Sequence, residues 1–449
     1  MMRSLVLLAC LVATPLAAQQ VSIPHTTFTL PNGLRVIVAE DHSAPLASVN
    51  VWYHVGSGYE RPGRTGFAHL FEHIMFEGSG NVAEGDFDNL LEAAGARNNG
   101  STNTDRTNYY EVMPSNAVEL ALWLEADRMG ALLDAMDQSK LDGQREVVKN
   151  ERRERYENAP YGMLRETAVA LLYPEGHPYS WTTIGSMADL DAAELDDVMG
   201  FFRTFYAPNN ATVAVVGAVD PAQVRAWTER YFGWIPAGEP VERPALEVPQ
   251  IARTTHTVLE DRVSLPELTL IWRTGPRFSA DEAAVDALAS ILTEGKSSRL
   301  YRRLVYDEQV AVFTYASNEA ALLSGDLWMR IRAVPGTDLD VIRTAVDEEV
   351  ARLAAAPPSQ EELDRVVNGL VTGFVRGLET VEGKAEQLNH YQYYAGQPGF
   401  SEQDLARYRA LTPADVQRAA QQYLHGRNRV VISIVPQGQT QLAAQETSR

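Results

Sequence analysis

Gly66-Phe67-Ala68-His69-Leu70-Phe71-Glu72-His73 is the stretch from which the rest of this chain can be read. At helical spacing His69 and His73 stand one turn apart on one face, able to reach a single ion, and Glu72 lies beside them. Phe67, Leu70, Phe71, Ile74 and Phe76 make the remaining faces apolar. Such a helix carries two imidazoles and a carboxylate towards the interior, which is costly unless those groups are partnered. The order His-x-x-Glu-His inverts the commoner His-Glu-x-x-His arrangement of zinc sites. Zinc acidifies a water molecule, and Glu72 is placed to take the proton. A catalytic zinc also needs a third protein ligand and an open position.

Outward from this helix, read as Thr65 to Phe76, the pattern is mixed α and β. Phe28 to Val38 reads as a hairpin about Pro31-Asn32-Gly33, Leu46 to Val55 as a strand, and Asp86 to Ala94 as a helix. Asn103 to Met113 reads as a strand, Asn116 to Leu133 and Ser139 to Asn158 as long helices, and Val213 to Val219 as a closing strand. Pro236 to Pro249, rich in proline and charge and without apolar period, reads as a linker. Beyond it the pattern starts again. Asp197-Val198, Tyr206, Asn210 and the strand Thr212–Val216 are echoed by Asp415-Val416, Leu424, Asn428 and Val430–Ile434. A duplicated α+β domain is the expectation, with domains over residues 24–235 and 251–437, a linker over 236–250 and a tail over 438–449.

The chain has 449 residues, long enough for two such domains, and 45% hydrophobic residues, as a packed protein does. A formal net charge of −20 leaves nothing to neutralise a row of phosphates, so nucleic acid is not an expected partner. Arg3, the apolar run Leu5 to Leu16 and Ala17-Ala18 read as a signal peptide over residues 1–18, implying export to the periplasm. No later stretch is long and apolar enough for a membrane anchor. Cys10 is the only cysteine and leaves with the signal, so the third ligand should be a carboxylate or another histidine. On the residues alone Glu146, Glu151 and Glu154 are equal candidates.

Together with Asn99 to Tyr109 (NGSTNTDRTNY) and Arg145 to Glu151 (REVVKNE), the Gly66–His73 motif resembles the pitrilysin/insulinase metallopeptidases, or inverzincins. The family includes the mitochondrial processing peptidase and the zinc-bearing subunits of bacterial periplasmic heterodimers. The resemblance covers nearly the whole mature chain. It implies zinc as cofactor, held by His69, His73 and Glu151, with Glu72 as general base. It implies two homologous domains forming half of a clamshell around an internal chamber. Peptide substrates would add as a strand along Asn99, Gly100, Ser101 and Thr102, a segment whose polarity independently suits an exposed edge.

Two positions depart from the family's pattern. Seven residues before Glu151 the family usually has a supporting glutamate; here it is Gln144, which can still hydrogen-bond behind the metal but brings no charge. Where the family often places an Arg and a Tyr seven apart to bind substrate, this chain aligns Val305 and Val312, with Arg302, Arg303 and Tyr306 nearby at other spacings. That departure implies a zinc-holding subunit completed by a homologous second subunit in a heterodimer, with a homodimer as the alternative. The function implied is a zinc endopeptidase acting on peptides or unfolded segments. The rivals are a dedicated precursor-processing peptidase and a non-catalytic peptide-binding or assembly subunit, the latter disfavoured by the intact motif. Gly295-Lys296-Ser297 lacks the first glycine of a phosphate loop, and His390 among aromatics reads as a core or interface residue.

Overall fold

The computed structural model describes residues 21–445, so the signal peptide assigned to residues 1–18 lies outside the described residues. The first half runs β1 (Thr26–Thr29), β2 (Arg35–Glu40), β3 (Leu46–Tyr53), α1 (Phe67–Ile74), α2 (Asp86–Ala93), β4 (Arg97–Thr102), β5 (Thr107–Pro114), α3 (Val118–Ala135), α4 (Gln138–Arg152), α5 (Leu164–Leu172), α6 (Met187–Asp191), α7 (Leu195–Phe205), β6 (Ala211–Gly217) and α8 (Pro221–Phe232). Residues 236–254 hold neither helix nor strand. The second half runs β7 (Thr255–Asp261), β8 (Glu267–Thr274), α9 (Glu282–Thr293), β9 (Ala311–Ala320), β10 (Gly325–Ala333), α10 (Leu339–Ala355), α11 (Gln360–Gly377), α12 (Val381–Ala395), α13 (Ser401–Arg409), α14 (Pro413–Ala419) and β11 (Val430–Pro436).

Each half builds one sheet, ordered β1-β2-β6-β3-β5-β4 and β7-β11-β8-β10-β9. With β1 set aside the two agree strand for strand. The parallel pair β2/β6 answers β7/β11, and the antiparallel run β3, β5, β4 answers β8, β10, β9. The segments whose sequences echo each other, Thr212–Val216 and Val430–Ile434, occupy equivalent places as β6 and β11. The chain is a duplicated α+β fold.

Apolar side chains on both faces of the central strands dictate the layers. In β2, Val36 and Val38 point to one face and Ile37 and Ala39 to the other, and all four are buried. β6 repeats this with Val213 and Val215 against Ala214 and Val216. The first face packs on the helices of its own half, including Leu70 and Phe71 of α1. The second face is covered by Ala385 and Leu388 of α12, from the other half. The exchange is mutual, because Leu164, Ala168 and Leu172 of α5 cover Ile271 of β8 and Val430, Ile432 and Ile434 of β11.

Two expectations need correction. The segment Asn103 to Met113 is not one strand: β4 and β5 pair as a hairpin, and Asn103 to Arg106 form its turn. The cause is local. Asn103 Oδ1 accepts from the backbone N–H of Asp105 (2.8 Å) and Arg106 (2.9 Å), an Asx turn that competes with extension. The helix expected over Ser139 to Asn158 holds α-geometry as α4 and then widens into a π-turn over Arg153–Glu157.

Candidate metal centre

Helix α1 begins at Gly66, whose φ of 88° lies in the left-handed region; a Cβ there would meet the Ile184 carbonyl oxygen at 2.7 Å. Its first amides are satisfied from a distance, since Glu60 accepts from Gly66 N (3.0 Å) and Ala68 N (2.7 Å). With Phe67, Leu70, Phe71 and Ile74 buried in the core, His69, Glu72 and His73 share the face that remains. Helix α4 is capped by Asp137, which accepts from Lys140 N at 3.0 Å, and it packs beside α1 with Glu151 near its C-terminus.

The two helices bring three ligand atoms together. His69 Nε2 and His73 Nε2 each lie 3.4 Å from Glu151 Oε2. One ligand atom from each residue falls within 4.8 Å of the other two. Arg155 pairs with the other oxygen, Oε1, and so leaves Oε2 aimed at the imidazoles. Among the described residues, Glu151 Oε2 and His69 Nδ1 are buried without a hydrogen-bond partner. A buried carboxylate oxygen left without one, facing two imidazole nitrogens, is the donor set of a small divalent cation, and N₂O sites of this kind suit zinc. The imidazoles, His73 foremost, hold Glu151 below the usual carboxylate range. Burial, with His73 adding to it, pushes His69 down to about 4, so both sides of the cluster are poised to bind in their metal-accepting forms. Of the other two glutamates left open by the sequence, Glu146 pairs with Lys149 at 2.8 Å and is exposed, and Glu154 is exposed on the π-turn.

Glu72 stands beside this cluster with its Oε2 held by the Thr102 hydroxyl at 2.6 Å. Burial pushes its carboxyl up, against the Thr102 bond and His73. The edge strand β4 therefore runs directly over Glu72, and a Cβ on Gly100 would meet Glu72 Cγ at 3.0 Å. The four residues expected to bind substrate divide between the faces of this strand. Gly100 and Thr102 face Glu72, whereas Ser101 donates to Asn108 Oδ1 (2.6 Å) and accepts from Arg106 (2.7 Å), and Asn99 Oδ1 accepts from Gly100 N (2.8 Å).

Gln144 reaches none of the three clustered residues; its amide donates to Glu77 Oε1 at 2.6 Å. Glu60, Glu77 and Arg155 carry no motif in the sequence; Glu60 acts on the first amides of α1, Arg155 on Glu151 one turn before it, and Glu77 through the packing of α1 beside α4. In the second half Val305 packs on the core, while Val312 and Tyr306 are exposed by 49% and 74%. Arg303 is tied to Glu308 and Glu348 at 2.7 Å each, and Arg302 lies 3.9 Å from Asp307. His390 lies between the rings of Trp52, Phe278 and Tyr394, and burial pushes it down to about 3, as suits a core histidine.

Comparison with known proteins finds relatives along most of the chain. Residues 35–173 match the family model of the insulinase peptidases (peptidase family M16), and residues 192–370 match the model described as the peptidase M16 inactive domain. The zinc protease PqqE of Helicobacter pylori is 29% identical over 425 residues, covering 93% of this chain and 94% of that protein. The crystal structure of a protease from Helicobacter pylori superposes with a TM-score of 0.88 at 27% identity, over 93% of this chain and 100% of that one. The first half of the periplasmic protease PqqL of Escherichia coli shares the fold, with a TM-score of 0.75 at 18% identity and 93% of each chain covered.

Proposed function

We propose, for a chain that belongs to the insulinase (M16) peptidase family, a zinc-dependent endopeptidase activity centred on His69, His73 and Glu151, with Glu72 as general base. The observation that carries this reading is Glu151 Oε2, buried without a hydrogen-bond partner among the described residues and 3.4 Å from both imidazoles. A zinc ion held by these three atoms would supply Lewis acidity towards a carbonyl oxygen and towards water. The chain's own residues do the rest. Thr102 anchors Glu72 Oε2 and leaves Oε1 to take the proton of the attacking water and pass it to the departing amine. The burial that raises Glu72 makes it a stronger base than an exposed glutamate. An extended peptide adding to the open edge of β4 would run beside Gly100, whose missing side chain lets β4 itself lie close to Glu72.

This reading includes export to the periplasm, two homologous domains over residues 24–235 and 251–437 joined through 236–250, and a place in a two-subunit clamshell. Val305 and Val312 supply no polar group towards a developing oxyanion, which favours a partner that does. Positioned donors of that kind are worth about 2.7–4 kcal/mol each. Two measurements test the proposal. The purified mature chain should contain about one zinc per chain, and His73→Ala should lose it. A wild-type protein that takes up no zinc would refute the assignment. Mixing with a homologue that carries the Arg/Tyr pair should raise cleavage at least tenfold. Full activity of this chain alone would remove the need for a partner.

A further inference from the structure

The contact between α1 and α4 is built in two rungs. On the upper rung His69 and His73 face Glu151. On the lower rung Glu77, four residues after His73, meets Gln144, seven residues before Glu151, through an amide-to-carboxylate bond of 2.6 Å. Glu77 is fixed in place by its backbone. Its N–H donates to the Ile74 carbonyl (3.0 Å), and its own carbonyl accepts from Lys140 Nζ (2.7 Å). The ammonium of Lys140 thus bonds the peptide oxygen, and the hydrogen bond to the carboxylate comes from the neutral amide.

We propose that Glu77 is a positioning residue of the metal centre, supplying through its rung with Gln144 the negative charge that supports a cation held by His73 and Glu151. The inference rests on the zinc reading of the upper rung. A Gln at position 144 can brace the helix but carries no charge, whereas its partner Glu77, just past the end of α1 and four residues after a ligand histidine, carries one. Burial and the charge of Glu84 oppose an anion at Glu77, and Lys140, the Gln144 amide and His73 favour it. With burial and Glu84 set against Lys140, the Gln144 amide and His73, the half-buried carboxylate gains from further positive charge nearby. A dication held at His73 would supply it, because Coulomb interactions in a partly buried setting extend well beyond contact. If bracing were all the rung did, two amides would do it as well.

That comparison is the test. Zinc affinity is measured by competition with a chelator, and the thermal midpoint is measured on the zinc-free protein, for wild type, Glu77→Gln and the exchanged double variant Glu77→Gln/Gln144→Glu. Glu77→Gln keeps shape and hydrogen bonding but loses charge, and its zinc dissociation constant should rise about tenfold or more. Its zinc-free midpoint should stay level or rise, since a buried carboxylate has been removed. The exchanged variant moves the charge from the turn after α1 to α4 on the same rung and should return to within roughly threefold of wild type. The inference is overturned if Glu77→Gln binds zinc like wild type, if its zinc-free midpoint falls in parallel, or if the exchange restores nothing. Failure of wild type itself to bind zinc would instead overturn the metal centre, and this inference with it.

Discussion

Glu60 shows how single residues set the geometry of α1. Its carboxyl is buried, and it caps the helix by accepting from Gly66 N and Ala68 N. Burial pushes it up to about 8, and the two amides draw it back. Because the folded value lies above the ordinary 4.5, the folded chain keeps a proton across that window that the unfolded chain has released. The contribution to stability is therefore full below about 4.5 and is lost as pH rises towards 8. Glu60→Gln fixes the neutral form, so its unfolding free energy should fall less steeply than wild type between these limits in denaturant titrations. Equal slopes would mean that Glu60 does not titrate there. Residues of this kind explain what the sequence withheld. His69, Glu72 and His73 declare themselves because one helical period relates them. Glu60 and Glu77 act across a loop or beyond a helix end, and no local period marks them; Arg155 does stand one turn after Glu151, a spacing too common in helices to single it out.

At the scale of elements, the β4–β5 hairpin decides what can approach the centre. Its turn is anchored by Asp105, whose carboxylate accepts from Tyr179 (2.7 Å), Tyr394 (2.9 Å) and the Leu322 amide (3.0 Å), tying the edge strand to both halves of the chain. The strand is held rigidly where Gly100 passes Glu72. Gly100→Val would drive a branched side chain into Glu72 and Tyr109, because even a Cβ meets them at 3.0 and 3.3 Å. Cleavage should fall at least tenfold while zinc content is retained, since neither His69, His73 nor Glu151 is displaced. Near-wild-type cleavage by Gly100→Val would show that β4 is not the substrate edge. The hairpin was half legible in advance. The strand after the turn shows in its residue types, but the polar run Asn99 to Asn103 reads equally as extended chain, and only the Asn103 side-chain bonds reveal the turn.

At the scale of the molecule, the duplication carries a consequence for folding. Each sheet exposes an apolar face that its own half does not cover, and α5 and α12 cover those faces reciprocally. Ile37, Ala39, Ala214 and Val216 would be bared in a fragment of residues 24–235, and each large aliphatic returned to water costs about 1.5–3 kcal/mol. That fragment should show no cooperative unfolding alone, and co-expression with residues 251–445 should restore it. A fragment that unfolds cooperatively by itself would contradict the exchange. The repeat was visible in the echo of two strand segments, but the crossed helices were not, since a helix does not name the sheet it will cover. The account as a whole rests on the assignment of His69, His73 and Glu151 as ligands and of Glu72 as base. It is tested most directly by the rate of peptide cleavage by Glu72→Gln measured on protein whose zinc content has been verified. The account predicts wild-type zinc with turnover lowered by about 10²–10⁴ or more. A Glu72→Gln protein that holds zinc and cleaves at the wild-type rate would contradict it.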